Sequence, residues 1–352
     1  MPPRRRRGEE PRSRWRQVLR HGPLVLLFLV GALSGVLLWG YAPDLPRDYL
    51  VERYGQRPST FIDVGGTRAH VRDQGKADAM PLLLIHGSLE SLHVWDGWVD
   101  TLKDRYRLIS VDLPGHGLTG AWARGEYTIE AYADFIEVLA DTLRLDRFAI
   151  AGHSMGGAVA WTFAATRPER VSQLILVDAA AYPAESKPTW RTRLARAPVI
   201  GDIGISFKPE WMVRRALQEV YSDPAMVTPE RVRRFAELQR YPGNRTATLQ
   251  RARNQEPLDP TPLKRLDVPT LIVWGAQDRW TPIADTFRLQ TDIKGSKLAI
   301  FEKPGHNPME EDPKGTAAAV AGFLPTEPPA PITPPKPPSS DQVAPAVIPE
   351  KD

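Results

Sequence analysis

Six apolar runs of strand length punctuate this chain: Leu82 to Ile85, Leu108 to Val111, Phe148 to Ala151, Leu174 to Val177, Thr270 to Trp274 and Lys297 to Phe301. Turn residues bound each run, the pattern of strands buried on both faces of a parallel sheet. The spacing of apolar residues between them is helical, as from Thr128 to Leu143, from Met155 to about Thr166 and from Pro313 to Phe323. This alternation predicts an α/β fold, a mostly parallel twisted sheet with helices on both faces. Ahead of it, Phe61 to Val64 and Thr67 to Arg72 flank Gly65-Gly66, which predicts a β-hairpin.

The alternation fails between residues 181 and 266. Amphipathic stretches such as Trp211 to Val220 and Pro229 to Tyr241 occur there without a convincing strand. This segment is expected to be a helical cap inserted into a core made of residues 59–180 and 267–324. Residues 43–58 read as a linker. Residues 325–352, roughly one-third proline, cannot bury enough surface to fold and are expected to form a disordered tail.

Charge changes the picture at the N-terminus. Residues 1–21 form a basic arm with eight arginines against Glu9 and Glu10, while the whole 352-residue chain carries only +4. From Gly22 to Ala42 no residue is charged, and Leu24 to Trp39 is almost wholly apolar, about the ~20 residues a bilayer crossing needs. Residues 22–42 therefore read as one transmembrane helix. The positive-inside rule puts the arginines in the cytoplasm and the folded domain after residue 42 on the extracytoplasmic side, periplasmic in a bacterium. The rival is a cleaved signal peptide ending at Gly40-Tyr41-Ala42. An arginine arm abutting an apolar segment argues for membrane topology rather than nucleic acid. Gly31 and Gly35 could pack two such helices, which leaves the oligomeric state open.

There are no cysteines, so disulfides, thiolate metal sites and cysteine nucleophiles are excluded. No histidine pair has helix-face metal spacing, and neither a metal nor a cofactor is implied. The chemistry centres on Gly152-His153-Ser154-Met155-Gly156, which follows a strand and opens a helix. A serine hydroxyl is a poor nucleophile unless a tight turn holds it beside a base, and glycines two residues either side make that turn possible. Asp278 and His306 follow in the chain order nucleophile, acid, base. Asp178, also at a strand end, is the rival acid.

Five motifs together carry a family resemblance: Leu84-Ile85-His86-Gly87-Ser88, Asp112-Leu113-Pro114-Gly115-His116-Gly117, the serine turn, Trp274-Gly275-Ala276-Gln277-Asp278, and Gly305-His306 with Glu311-Asp312-Pro313 behind it. From about Thr60 to Phe323 the chain resembles the α/β-hydrolase fold family, in its haloperoxidase-like and esterase branch with a helical cap. Thr119 stands where the family usually has serine. The resemblance implies Ser154 as nucleophile, His306 as base, Asp278 as acid, and the backbone N–H groups of Ser88 and Met155 as the oxyanion hole.

It also implies a small-molecule acyl or ester substrate, with lipophilic acyl compounds among the candidates. A C–C hydrolase or perhydrolase could use the same triad, and a non-catalytic interaction protein could use the same fold. Serine at 154 excludes the family members that attack with aspartate, and Asn307 after His306 departs from the C–C hydrolases that carry tryptophan there. His86, His116 and His153 are expected to be structural, while His70 and His93 have no evident partner. Residues 185–265 hold sixteen Lys or Arg against nine Asp or Glu. Either these are solvated helix faces, with Trp190, Phe207, Trp211, Met212 and Tyr221 packing inward, or the cap meets an anionic membrane surface or a substrate carboxylate.

Overall fold

The computed structural model describes residues 12–183, 190–207, 209–254 and 256–329, with the side chains of 12–20, 33, 36–39, 191 and 192 outside that description. The expectations for the first eleven residues and for the tail from 330 onward lie outside it too.

Eight strands form one sheet in the order β1-β2-β4-β3-β5-β6-β7-β8. The hairpin of β1 (Ser59–Val64) and β2 (Thr67–Gly75) is antiparallel, and so is the β2–β4 pair. From β4 (Arg107–Val111) through β3 (Pro81–Ile85), β5 (Phe148–His153), β6 (Val171–Val177) and β7 (Thr270–Gly275) to β8 (Lys297–Phe301) every pairing is parallel. The central strands are buried along their whole length, as continuous apolar runs require. α3 (Asp96–Leu102) and α13 (Pro313–Phe323) cover one face, where Trp95, Trp98 and Tyr106 fill the core. α4 (Ile129–Thr142) and α5 (Met155–Thr166) cover the other. α4 starts where Thr128 accepts the Ala131 N–H, a cap worth about 1 kcal/mol.

Between β6 and β7 the described residues carry helices and no strand: α6 (Trp190–Arg196), α7 (Ile200–Ser206), α8 (Glu210–Val220), α9 (Pro229–Leu238) and α10 (Asn244–Asn254). α11 (Ile283–Asp292) follows β7, and the short α12 (Pro308–Glu311) precedes α13.

Two expectations change. Residues 43–58 are not a bare linker, because they contain α2 (Arg47–Tyr54). Leu50 is fully buried against Leu118, Leu238 and Tyr241, and the Tyr54 hydroxyl donates to Glu237 at 2.7 Å. An apolar stripe one helical turn long is enough to dock a segment that reads as a linker. At the N-terminus α1 runs from Arg12 to Gly40, longer than the expected 22–42, with Pro23 inside it. Among the described residues, no helix is long and apolar enough to cross a membrane. The end of α1 is tied to the cap. Gly40 lies against the Phe207 ring, the Ala42 N–H donates to the Ser206 carbonyl at 2.9 Å, and Arg245 pairs with Asp44 at 2.5 Å.

Candidate active site

Strand ends place every candidate residue. β5 runs into Ser154, which adopts φ +51° and ψ −117°, a conformation costing a non-glycine residue on the order of 1–3 kcal/mol. The turn is tight enough that a Cβ on Gly152 would overlap the Gly156 carbonyl, and one on Gly156 would overlap the Ile85 and His86 carbonyls. The Ser154 N–H donates to the Val177 carbonyl at 3.0 Å, which fastens the turn to the end of β6. The sequence-predicted elbow is therefore present, with Met155 opening α5.

Asp278 lies past β7 and His306 past β8. His306 Nδ1 is 2.7 Å from Asp278 Oδ2, so Asp278 rather than Asp178 is the acid against the imidazole. Asp278 also accepts the Trp280 N–H at 2.7 Å and the Thr281 hydroxyl. Burial opposes ionisation of Asp278, but the hydrogen bonds from His306 and Thr281 outweigh it and lower its pKa. Asp178 is fully buried behind this pair and accepts the Gly275 N–H at 3.1 Å. Burial first, then the neighbouring Asp278 charge, raise its pKa well above the carboxylate range and favour the neutral acid.

Ligating-type atoms of Asp178, Asp278 and His306 lie within 4.8 Å of one another, which makes them, among the described residues, the group that could gather around a metal ion. The hydrogen bonds just given already pair His306 Nδ1 with Asp278.

Ser88, Ser154 and His306 line one cavity of about 270 Å³. Its other walls come largely from the cap: Met212, Val213, Leu217 and Val220 of α8, and Phe235 and Leu238 of α9. Most of this wall is apolar, but Arg231, Arg234 and Gln239 of the cap and Glu310 also line the cavity.

Sequence reading expected His153 to be structural but missed Glu90 and Asn307, which with it hold this end together. Glu90 accepts the Gly87 N–H at 2.7 Å, meets His153 Nδ1 at 2.8 Å and accepts from Asn307 Nδ2 at 2.8 Å. The other nitrogen of His153, Nε2, is 2.8 Å from the His306 carbonyl. A carboxylate and a carbonyl both accept, so both His153 nitrogens must donate and the ring is an imidazolium. The shifts agree. Burial would lower the His153 pKa, but Glu90 overrides it and the net shift is upward. Burial would likewise raise Glu90, yet the His153 charge pulls it down to about 2. This ion pair joins the loop of Ser88, the turn of Ser154 and the backbone of His306. The only sequence signal was an acidic residue three positions after Gly87.

His86 does the opposite. Its Nδ1 meets the Gly87 carbonyl at 2.7 Å and its Nε2 accepts the Leu113 N–H at 3.0 Å, so the ring is neutral, and burial lowers its pKa. His70, without an expected partner, meets Asp112 at 2.6 Å, and His93 lies 3.0 Å from both Arg72 and Ser91. The Thr119 hydroxyl donates to the Asp112 carbonyl at 2.7 Å and accepts the His70 N–H.

The inward-packing expectation for the cap aromatics is half wrong. Tyr221 is buried and Met212 lines the cavity, but Trp190 is 69 % and Trp211 57 % exposed. On α8 the buried stripe is Val213, Leu217 and the partly buried Val220, and Trp211, two residues before Val213, lies about 200° around the helix from it. Several cap arginines are paired: Arg231 with Glu310 at 3.2 Å, Arg253 with Asp202 at 3.1 Å and Arg245 with Asp44.

A strand-turn-helix serine that lines one cavity with a histidine–carboxylate pair, at the carboxyl edge of a mostly parallel sheet, is the arrangement of an α/β-hydrolase type of site. The pattern of the alpha/beta hydrolase fold matches residues 80–313, and the chain belongs to that family. It is 28 % identical over 320 residues to monoacylglycerol lipase abhd6-B of Xenopus laevis, covering 86 % of this chain and 93 % of that one. It is 26 % identical over 277 residues to a 2-hydroxy-6-oxo-2,4-heptadienoate hydrolase of Pseudomonas putida, covering 76 % and 96 %. Among solved structures, a bacterial membrane phospholipase A superposes with a TM-score of 0.65 at 25 % identity, covering 87 % of this chain and 98 % of that one.

Proposed function

We propose that this hydrolase cleaves carboxylic esters of lipophilic acyl groups through an acyl-enzyme on Ser154. The observation that carries the reading is the strained elbow serine in the same largely apolar cavity as a His306 already hydrogen-bonded to Asp278. In this reading Ser154 attacks the acyl carbon while His306 takes its proton. Asp278 fixes the imidazole with its proton on Nδ1 and stabilises the imidazolium. The oxyanion forms against the N–H groups of Ser88 and Met155, and His306 then returns the proton to the leaving alkoxide. Water repeats the sequence to release the acid.

The apolar part of the cap wall, from Met212, Val213, Leu217 and Val220 of α8 to Phe235 and Leu238 of α9, suits an acyl chain. The relatives named as a monoacylglycerol lipase and a membrane phospholipase A support a lipophilic ester here. Residues 22–42 are proposed to anchor the protein, with the arginine arm cytoplasmic and the hydrolase domain on the opposite side. This rests on an uncharged segment in which every side chain from Leu24 to Val30 is exposed, from 52 % at Val30 to 74 % at Phe28, with none of the described residues covering it. Trp190, Val199, Ile200, Ile203 and Trp211 are exposed on the cap segment to which the end of α1 is tied, consistent with a cap held against the same bilayer.

The test is turnover of p-nitrophenyl esters of increasing chain length by the detergent-solubilised full chain. We expect medium and long acyl chains to be preferred, and Ser154→Ala to lose on the order of a million-fold in turnover. A folded wild type that turns over none of the esters would refute the reading.

A further inference from the structure

Arg251, on cap helix α10, reaches the two residues of the proposed oxyanion hole. Its NH2 donates to Ser88 Oγ at 2.5 Å, and its NH1 lies 2.8 Å from the sulfur of Met155. Both acceptors are neutral, and one is a weak thioether. Nε is sealed from solvent and has no partner. Among the described residues no carboxylate lies within ion-pair distance of this guanidinium, unlike Arg231, Arg245 and Arg253 nearby in the cap. Burial lowers its pKa from the usual arginine value, with only the Tyr132 phenol acting the other way.

A cation withdrawn from water without a counter-charge costs free energy that the fold recovers only if an anion arrives. Apart from a substrate carboxylate, the anion this site would meet is the one the reaction makes. When Ser154 adds to an ester, the carbonyl oxygen becomes an oxyanion between the N–H groups of Ser88 and Met155, the residues whose side chains Arg251 touches. We infer that Arg251 is a positioning residue that fixes both oxyanion donors from the cap, and that its unpaired charge is compensated only in the tetrahedral state. An interaction made only there raises turnover rather than substrate affinity. It also makes the oxyanion hole dependent on a seated cap, because α10 belongs to the cap and Ser88 and Met155 to the core.

The inference rests on the ester-hydrolase reading, and its test is designed to fail separately. Arg251→Gln, Arg251→Met and Arg251→Lys in the full chain are compared with wild type on a neutral ester. A neutral trifluoromethyl ketone, which forms an anionic tetrahedral adduct with an active serine, is measured alongside. The expected result for Gln and Met is a fall in kcat of about 10- to 100-fold, smaller than loss of a direct donor, with KM changed less than about threefold. Ketone affinity should fall by the same factor as kcat/KM, Lys should recover part of both, and the melting temperature should hold or rise.

Unchanged kcat and ketone affinity in Arg251→Gln, beside an active wild type, would overturn this inference alone. So would a loss confined to KM for half-esters of dicarboxylic acids, which would make Arg251 a substrate-anion clamp. If Gln and Met do not fold, the Lys variant decides: its kcat/KM and ketone affinity must fall together. A wild type inert to esters and ketone would instead sink the underlying function.

Discussion

The sheet side and the cap side of the cavity are built from residues of similar chemistry but by different rules. On the sheet side each functional group is fixed by the turn that carries it and by short hydrogen bonds to its neighbours. Ser154 is held by a turn only small neighbours permit, His306 is pinned through its carbonyl to His153, and Asp278 is gripped by the Trp280 N–H and the Thr281 hydroxyl. On the cap side, groups are placed by which face of a helix turns inward, and the outcome is less regular. Tryptophans 190 and 211 face outward while Arg251 goes in. Polarity alone is thus a poor guide to orientation in the cap, where two tryptophans stay exposed and the guanidinium of Arg251 reaches the core.

The contrast predicts that sheet-side substitutions destroy activity or stability, whereas rim substitutions on the cap leave both and change where the protein goes. The largest remaining effect should come from Asp278→Asn, which keeps the shape but favours the wrong imidazole tautomer. Turnover is expected to fall about 10,000-fold. A loss under tenfold in steady-state assays would mean that buried Asp178 can replace it.

Glu90→Gln should act on stability first. It leaves the His153 imidazolium without its buried partner, at a cost of about 3 kcal/mol in denaturant unfolding. The wild-type pair also sets a pH window. Glu90 is depressed to about 2, so its contribution is present above the ordinary glutamate pKa and is lost as pH falls toward 2. His153 is raised, so its contribution is complete below the ordinary histidine pKa and is lost as pH rises through the folded value. Unfolding free energy measured against pH should therefore fall at both ends for wild type, and less steeply at both for Glu90→Gln. Identical profiles would remove the ion pair from the account.

The smallest effect on the fold is expected from Trp190→Ser with Trp211→Ser. Stability should change by less than about 0.5 kcal/mol per site, as for exposed positions generally, while turnover of a short soluble ester holds. Binding of a chain lacking residues 1–40 to phospholipid vesicles should drop about tenfold or more in flotation assays. Unchanged vesicle binding would detach the cap from the membrane.

These two regions also differed in how far their sequence could be read. The strands, the hairpin, the elbow and the closing helix Pro313–Phe323 follow from period, glycine spacing and turn residues, which are local constraints. Asp278 and His306 were legible because each follows a strand within a motif. Glu90 was not, since its partners Gly87, His153 and Asn307 lie up to 217 residues apart and meet only in the folded sheet. Nor was Arg251, because helix periodicity gives a stripe but not which long side chain crosses it. Trp211 was recoverable: its offset from the Val213–Leu217 stripe placed it outside, and its apolar character was given too much weight.

The most direct test of the central claim is to map the adduct of a fluorophosphonate probe by peptide mass spectrometry on the folded full chain. The account predicts one modified peptide, carrying the label on Ser154, fully lost in Ser154→Ala and slowed in Asp278→Asn. A folded protein that takes no label, or one still labelled at the same rate after Ser154→Ala, would contradict it.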